Sequence, residues 1–190
     1  MKIKKLLSKF KTNRRMKKYS EKINSIGKGC YFDAEIHFGG CKNSLNIGNN
    51  VRIGPFSAFH IQKENGNAKI SIGDNVFINR KFFMDCNESN ITIGNNCTIG
   101  CDVTILGTNH DINDIDGNYT KLVDKPVKLG DGCWVGTKVI ILPGVELGKG
   151  CIVGAGSVVT KSFPEYTMIA GNPAHIIKKY NPNKKSWEKV

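Results

Sequence analysis

Long apolar runs are missing from this chain of 190 residues. A membrane-spanning helix needs about 18 or more consecutive apolar residues, and no such stretch occurs. The N-terminus is charged, but its longest apolar pairing is Leu6-Leu7, too short for the core of a signal peptide. A cytoplasmic address is therefore the expectation. Histidine is scarce, with only His37, His60, His110 and His175. The seven cysteines contain no Cys-x-x-Cys pair, which argues against a zinc or redox motif. The body of the chain also lacks net charge. Of the total of +12, residues 1–22 hold +9, from ten Lys or Arg against Glu21. The basicity belongs to an arm, and a nucleic-acid partner for the domain itself is not expected.

What is present is a beat of six residues. An aliphatic residue is followed by glycine, or by a residue in its place, and the next aliphatic comes six positions later. The clearest run is Leu129-Gly130, Val135-Gly136, Ile141, Leu147-Gly148, Val153-Gly154 and Val159. A second run is Ile93-Gly94, Ile99-Gly100 and Ile105; earlier copies are Ile47-Gly48 with Ile53-Gly54, and Ile72-Gly73 with Ile78. Such a repeat marks a parallel β-helix in which three hexads make one triangular coil. The aliphatic residue is expected to point into the prism, and the glycine to supply the backbone angles of the corner. With the aliphatic as position one, Cys97, Cys133 and Cys151 fall at position five, as does Cys30 if Ile26 opens a hexad. Val51, Ser57, Val76, Val103, Val139, Val145 and Ser157 share that slot, so these cysteines read as small core residues.

The pattern divides the chain into a basic arm at 1–22, a β-helix at 23–163 and a C-terminal extension at 164–190. In the arm, Ile3, Leu6, Leu7, Phe10 and Met16 recur at helical spacing among the lysines. That composition suits a basic helix lying on anionic lipid, or a solvated arm or coil cap. The register slips twice, which predicts short connections near 62–69 and 84–90. One longer departure, 106–128, carries four Asp, no apolar beat and Pro126 near its end. It reads as a loop thrown out from the coils, and long loops on rigid scaffolds tend to carry function. Pro164 is expected to end the helix, Ile176, Ile177 and Tyr180 to dock on the last coil, and the Lys-rich tail to be mobile. His110 is the histidine of the extruded loop, in Thr108-Asn109-His110-Asp111, where an imidazole can serve as a general base near neutral pH.

Ile93–Lys178 resembles the maltose and galactoside O-acetyltransferase branch of the hexapeptide-repeat acyltransferases. The resemblance rests on Gly107-Thr108-Asn109-His110-Asp111-Ile112, Lys125-Pro126-Val127, Gly130-Asp131-Gly132-Cys133-Trp134-Val135-Gly136, Ile141-Leu142-Pro143-Gly144-Val145, Val153 to Lys161, and Ala170-Gly171-Asn172-Pro173-Ala174. It implies an all-β, left-handed parallel β-helix that works as a homotrimer, with each active site between two subunits. It implies acetyl-CoA as co-substrate, no metal, and a sugar hydroxyl as acceptor, in surface polysaccharide or oligosaccharide synthesis. His110 holds the family's catalytic place, and the backbone amide of Thr137 that of the oxyanion donor. CoA contacts map onto Thr137, Ala155, Thr160, Lys161 and Lys178, with Trp134 as a wall of the cleft. Acceptor contacts map near Asn79, Arg80 and Asp85, with Asn109 in the loop. Asp111 is open to two readings, as the orienting partner of His110 or as a loop cap. The basic arm adds the expectation of peripheral contact at the inner membrane face.

Other readings fit the residues less well. A carbonic anhydrase on this fold needs three histidines at one metal site, and only His110 lies in a comparable segment. A serine acetyltransferase needs a helical domain that a basic arm of 22 residues is not expected to form. An N-acetyltransferase on an amino-sugar nucleotide remains the nearest enzyme rival, and a β-helix scaffold without activity the non-enzymatic one.

Overall fold

The computed structural model describes residues 23–32, 44–61 and 69–190, and the backbone of 37–40. The arm at 1–22, with its expected helix and lipid contact, lies outside the described residues, as do residues 62–68 of the first expected connection. Among the described residues every helix or strand assigned is a strand. They stack into three parallel sheets that form the faces of a prism. The first face holds Ile23–Ile26, Leu45–Ile47, Ile70–Ile72, Ile91–Ile93, Val127–Leu129 and Glu146–Leu147. The second holds Tyr31–Phe32, Arg52–Ile53, Phe77–Ile78, Thr98–Ile99, Trp134–Val135, Ile152–Val153 and Thr167–Gly171. The third holds His37–Gly40, Ala58–Ile61, Phe83–Cys86, Thr104–Leu106, Ile140–Ile141 and Val158–Val159.

The beat works as expected for the core. Strand side chains alternate between faces, so Ile91 and Ile93 turn inward while Thr92 looks out. Ile47, Ile72, Ile93, Leu129 and Leu147 form one buried column, and Ile53, Ile78, Ile99, Val135, Val153 and Ile169 another. Each such side chain contributes roughly 1.5–3 kcal/mol on burial. The position-five slots are buried too, including Cys97, Cys133 and Cys151. Their thiols donate upward to the next coil: Cys97 to the Gly130 carbonyl at 3.2 Å, Cys133 to Gly148 at 3.3 Å and Cys151 to Pro164 at 3.1 Å. Contact with Cys97 and burial push the Cys133 thiol well above the ordinary range, so it stays protonated. The register slips have a simple cause. Third-face strands in the early coils are four residues long and turn two residues inward, Phe59 with Ile61 and Met84 with Cys86.

The glycine that carries the beat is needed for a different reason from the one expected. Its φ is not the unusual one. The left-handed angles fall at position four, on Asn50, Asn75, Asn96, Asp102, Lys138, Gly132, Gly144, Gly150 and Gly156. At position two the requirement is space. A Cβ on Gly94 would sit 2.7 Å from the Asp131 nitrogen and 2.8 Å from the Gly130 carbonyl carbon. One on Gly136 would sit 2.7 Å from the Ala155 nitrogen. The obstacle is the backbone of the next coil, which cannot step aside without opening the ladder.

The helix also runs past its expected end. Thr167–Gly171 pairs in parallel with Ile152–Val153, so the second face continues beyond Pro164. Ala174–Asn181 and Ser186–Lys189 then add two antiparallel strands to the same sheet. The Lys-rich tail is therefore an ordered edge, tied down by Tyr166, Tyr180 and Trp187, whose rings sit 6.2 and 5.5 Å apart in sequence.

These two kinds of glycine should respond differently to substitution. Gly94→Ala forces the coils apart and is expected to cost about 3 kcal/mol, at the upper end for overpacking. Gly132→Ala meets nothing within 4 Å and carries only left-handed strain, about 1 kcal/mol. Gly132→Asn, which repeats the residue at 50, 75 and 96, should change stability by less than about 0.5 kcal/mol. Denaturant melts of the three variants check the order.

Candidate active site

The coils are interrupted at the corner between the third and first faces. Leu106 still belongs to the third face and Val127 already to the first, so the departure is residues 107–126, slightly shorter than expected. Its root is fastened by backbone and side chain. Gly107 donates to the Asp85 carbonyl at 2.7 Å and accepts at its own carbonyl from Ser89 Oγ at 2.8 Å and the Lys125 amide at 3.0 Å. The loop then forms an antiparallel hairpin, Thr108–His110 against Leu122–Asp124. Asn87 Nδ2 donates to Asp124 Oδ2 at 3.1 Å and ties the hairpin to the preceding coil. At the tip, Asp111 accepts from the Asn113 amide at 3.0 Å and pairs with Lys121 at 3.1 Å. Those contacts hold its carboxyl below the ordinary range, the Asn113 amide first. Asp111 is thus a loop cap, and its reading as the partner of the His110 ring falls away.

Hairpin alternation gives the projection two sides. Asn109 and Val123 face one way and join Lys125, Leu142, Pro143 and Thr160 around a cleft of ≈ 370 Å³ with exposed His110 at its rim. Thr108, His110, Leu122 and Asp124 share the other side. That side looks toward the earlier coils, since Asp124 meets Asn87 there.

The corner between the second and third faces holds a second group of expected residues. Asn79 and Arg80 share one coil there, and Thr137 and Ala155 follow on later coils, with Cys101 between. The chemistry of this corner is clearest beside the corner between the first and second faces. There, the position-three amides of the first four coils are each capped by the side chain above. Lys28 donates to Asn49 Oδ1 at 2.9 Å, Asn49 to Asp74 at 2.6 Å, Asp74 to Asn95 at 2.8 Å and Asn95 to Asp131 at 2.7 Å. Thr137 is the equivalent residue at the next corner, and the side chain above it is that of Ala155, which has no oxygen. Among the described residues the Thr137 amide has no acceptor, as is true of Cys101 and Ala155 in the same column, while its carbonyl accepts from Gly156 at 2.8 Å.

The remaining residues spread over the surface. Trp134 is exposed on the second face, and the register Trp134, Ile152, Met168, Lys178 puts Lys178 on its row three strands away. Lys161 follows Thr160 at the third-to-first corner, its ammonium 5.9 Å from the Phe163 ring. Asp85 lies on the third face, 3.2 Å from His60. The chain thus gathers Asn109, His110 and Thr160 around one cleft and Thr137 with Ala155 in one column. These two groups flank the third face along its two edges. Trp134 and Lys178 stand apart from both. Sequence reasoning missed the Leu142-Pro143 wall of the cleft and the Asn87 fastening. The first had a signal, because those residues occupy the corner one coil above the loop root. Among the described residues no group of three His, Cys, Asp or Glu is placed to hold a metal ion. No helix long and apolar enough to cross a membrane occurs among them.

Residues 126–161 match the family model for the bacterial transferase hexapeptide of six repeats. The chain is 36% identical over 172 residues to the provisional lipopolysaccharide biosynthesis O-acetyl transferase WbbJ of Escherichia coli K12, spanning 85% of this chain and 81% of that one. This chain belongs to the hexapeptide-repeat acyltransferases. It is also 33% identical to the galactoside O-acetyltransferase of Escherichia coli K12 over 122 residues, 62% of this chain and 60% of that enzyme. Among solved structures, the N-acyltransferase AntD of Bacillus cereus, in complex with dTDP and 3-hydroxybutyryl-CoA, aligns with a TM-score of 0.76 at 23% identity over 90% of both chains. The left-handed parallel β-helix is accordingly the fold.

Removing the Asn87 side chain should loosen the hairpin and leave the helix intact. One such hydrogen bond contributes roughly 1 kcal/mol, so Asn87→Ala is expected to speed amide exchange across 108–124 about fivefold. Exchange in the strands around Ile93 and Ile99 should stay unchanged.

Proposed function

We propose that this acyltransferase moves an acetyl group from acetyl-CoA to a sugar hydroxyl, in the synthesis of a surface polysaccharide or oligosaccharide. The observation that carries the reading is the exposed His110 on a rigidly rooted hairpin, at the rim of a cleft that Thr160 closes from two coils above. The 36% identity with a lipopolysaccharide O-acetyl transferase over most of both chains supports an oxygen acceptor. The N-acyltransferase likeness lies below the identity at which it speaks to more than fold.

Neutral His110 takes the proton of the acceptor hydroxyl as its oxygen attacks the thioester carbonyl. The developing oxyanion accepts a hydrogen bond from the Thr137 amide, which Ala155 leaves uncapped. The tetrahedral intermediate collapses, the C–S bond breaks, and the CoA thiolate regains a proton from the imidazolium. Thr137, Ala155 and Thr160 let the pantetheine arm approach backbone closely, while Lys161 and Lys178 meet phosphate. Trp134 walls the cleft. The acceptor lies toward Asn79, Arg80 and Asp85, with Asn109 beside the base.

A single chain leaves His110 and the Thr137 corner on opposite edges of the third face, so one site needs a wall from a second chain. Exposed Ile112 and Ile115 on the loop, 78% and 71% accessible, fit a neighbour that covers them. The assembly is a homotrimer of the kind the family resemblance implies. The enzyme works in the cytoplasm, with the basic arm resting on anionic lipid at the inner membrane face.

A panel of galactose, galacturonic acid, p-nitrophenyl β-galactoside, UDP-N-acetylglucosamine, an amino-sugar nucleotide and a lipid-linked oligosaccharide tests the acceptor class. Transfer to oxygen is expected, and transfer only to the amine would favour the rival reading. His110→Ala should lose about 10²–10⁴ in kcat, while acetyl-CoA affinity changes little. Lys161→Glu should raise the KM for acetyl-CoA more than it lowers kcat, because a phosphate contact is largely uniform binding. Light scattering should give a trimer at micromolar concentration, and a monomer would contradict the shared site.

A further inference from the structure

A second histidine stands close to the hairpin in an arrangement the proposed chemistry does not use. His60 and Asp85 are register partners on the third face, and Leu106, which leads into the hairpin, is the next rung of the same row. All three side chains are on the outer side of the prism, where His60 is 42% and Asp85 17% accessible. His60 Nδ1 lies 3.2 Å from Asp85 Oδ1. A neutral ring that donates Nδ1–H to that carboxylate keeps Nε2 as an acceptor. The main chain of Asp85 also accepts from the Gly107 amide at 2.7 Å, so the pair is locked to the loop root. Two residues further on, Asn87 reaches Asp124, and Asp124 shares its hairpin side with His110. His60, Asp85, Asn87 and Asp124 are thus the polar side chains between the third face and His110, with Leu106 and Leu122 among them.

We propose that the His60–Asp85 pair recognises the acceptor, His60 Nε2 accepting a hydrogen bond from a hydroxyl of a neutral hexose whose reacting hydroxyl lies at His110. This rests on the reading of the chain as a sugar acetyltransferase and adds a specificity residue and a substrate class to it. Acceptor and acetyl-CoA then reach His110 from opposite sides of the hairpin, the acceptor from the earlier coils and the thioester from the Thr160 side. The four side chains of the strip before His110 include two carboxylates and neither lysine nor arginine. A uronic or sialic acid in that place would meet like charge. His60 acts on position and choice of acceptor, and the proton transfer stays with His110.

The test is steady-state kinetics of His60→Ala, His60→Gln and Asp85→Asn with the panel member that the wild type acetylates fastest. Their thermal melts serve as a check on folding. His60→Ala is expected to raise the acceptor KM about tenfold, as loss of a buried-partner hydrogen bond does. The KM for acetyl-CoA and the slow hydrolysis of acetyl-CoA without acceptor should not change. His60→Gln, which keeps an acceptor oxygen at similar reach, should recover part of the loss. Galactose should be preferred to galacturonic acid, and Asp85→Asn should narrow that preference. An acceptor KM unchanged in His60→Ala overturns the role, and so does a loss confined to kcat, which would make His60 a catalytic group. Preference for galacturonic acid overturns the substrate class. A wild type that acetylates no member of the panel overturns the sugar acetyltransferase reading itself, and this inference with it.

Discussion

Coils of a β-helix stack at the spacing of a β-ladder, about 4.8 Å, and at the corners that spacing leaves no room for a Cβ. Every other feature of this molecule adjusts to that limit. Glycine at position two keeps the corners closed, as the short approaches above Gly94, Gly100 and Gly136 record. Close stacking then leaves backbone amides at each corner with no partner in their own coil, and buried or half-buried amides need one. At the first-to-second corner the answer is a column of short polar side chains, Asn49, Asp74, Asn95 and Asp131, each capping the amide below. A second column, Asn50, Asn75 and Asn96, takes the left-handed angles and passes amide hydrogen bonds of 3.1 and 3.3 Å along the stack.

Much of this was legible in the sequence. The beat named the inward residues correctly, because a period of six with one strand per side leaves few alternatives. The position-five cysteines were legible for the same reason. The role of the glycine was not, since sequence alone cannot tell a residue that needs a special φ from one that needs space. The neighbour that forbids the Cβ of Gly94 is Gly130, 36 positions away. The ordered tail was hidden by Pro164, which usually stops a pattern but here lies at a corner, where its missing N–H costs nothing in the ladder. At the site, His110 could be singled out as the histidine of a loop without a beat. Asp85 was reached through the family resemblance. Its pairing with His60 was not foreseeable, because both residues lie where the register slips and only the observed register brings them together.

The proposed site occupies the places where the regular scheme is broken. The hairpin breaks the third-to-first corner and presents His110, and Asn87, Ser89 and Gly107 keep that break rigid. The second-to-third corner is broken more quietly. Its position-three residues include Arg80, whose amide is met by the neighbouring Asn79, and then Cys101, Thr137 and Ala155, whose amides are uncapped among the described residues. A preorganised donor with no internal partner, such as the Thr137 amide in this column, is available to charge that develops in a reaction.

The central claim is that the uncapped Thr137 amide serves the reaction, and Ala155→Asn tests it most directly. An asparagine at that position can cap the amide below, as Asn49 and Asn95 do at the neighbouring corner. The account predicts a protein at least as stable as the wild type, with kcat lower by about 10²–10³, the usual effect of losing one oxyanion donor. A variant that gained stability and kept its full kcat would contradict it.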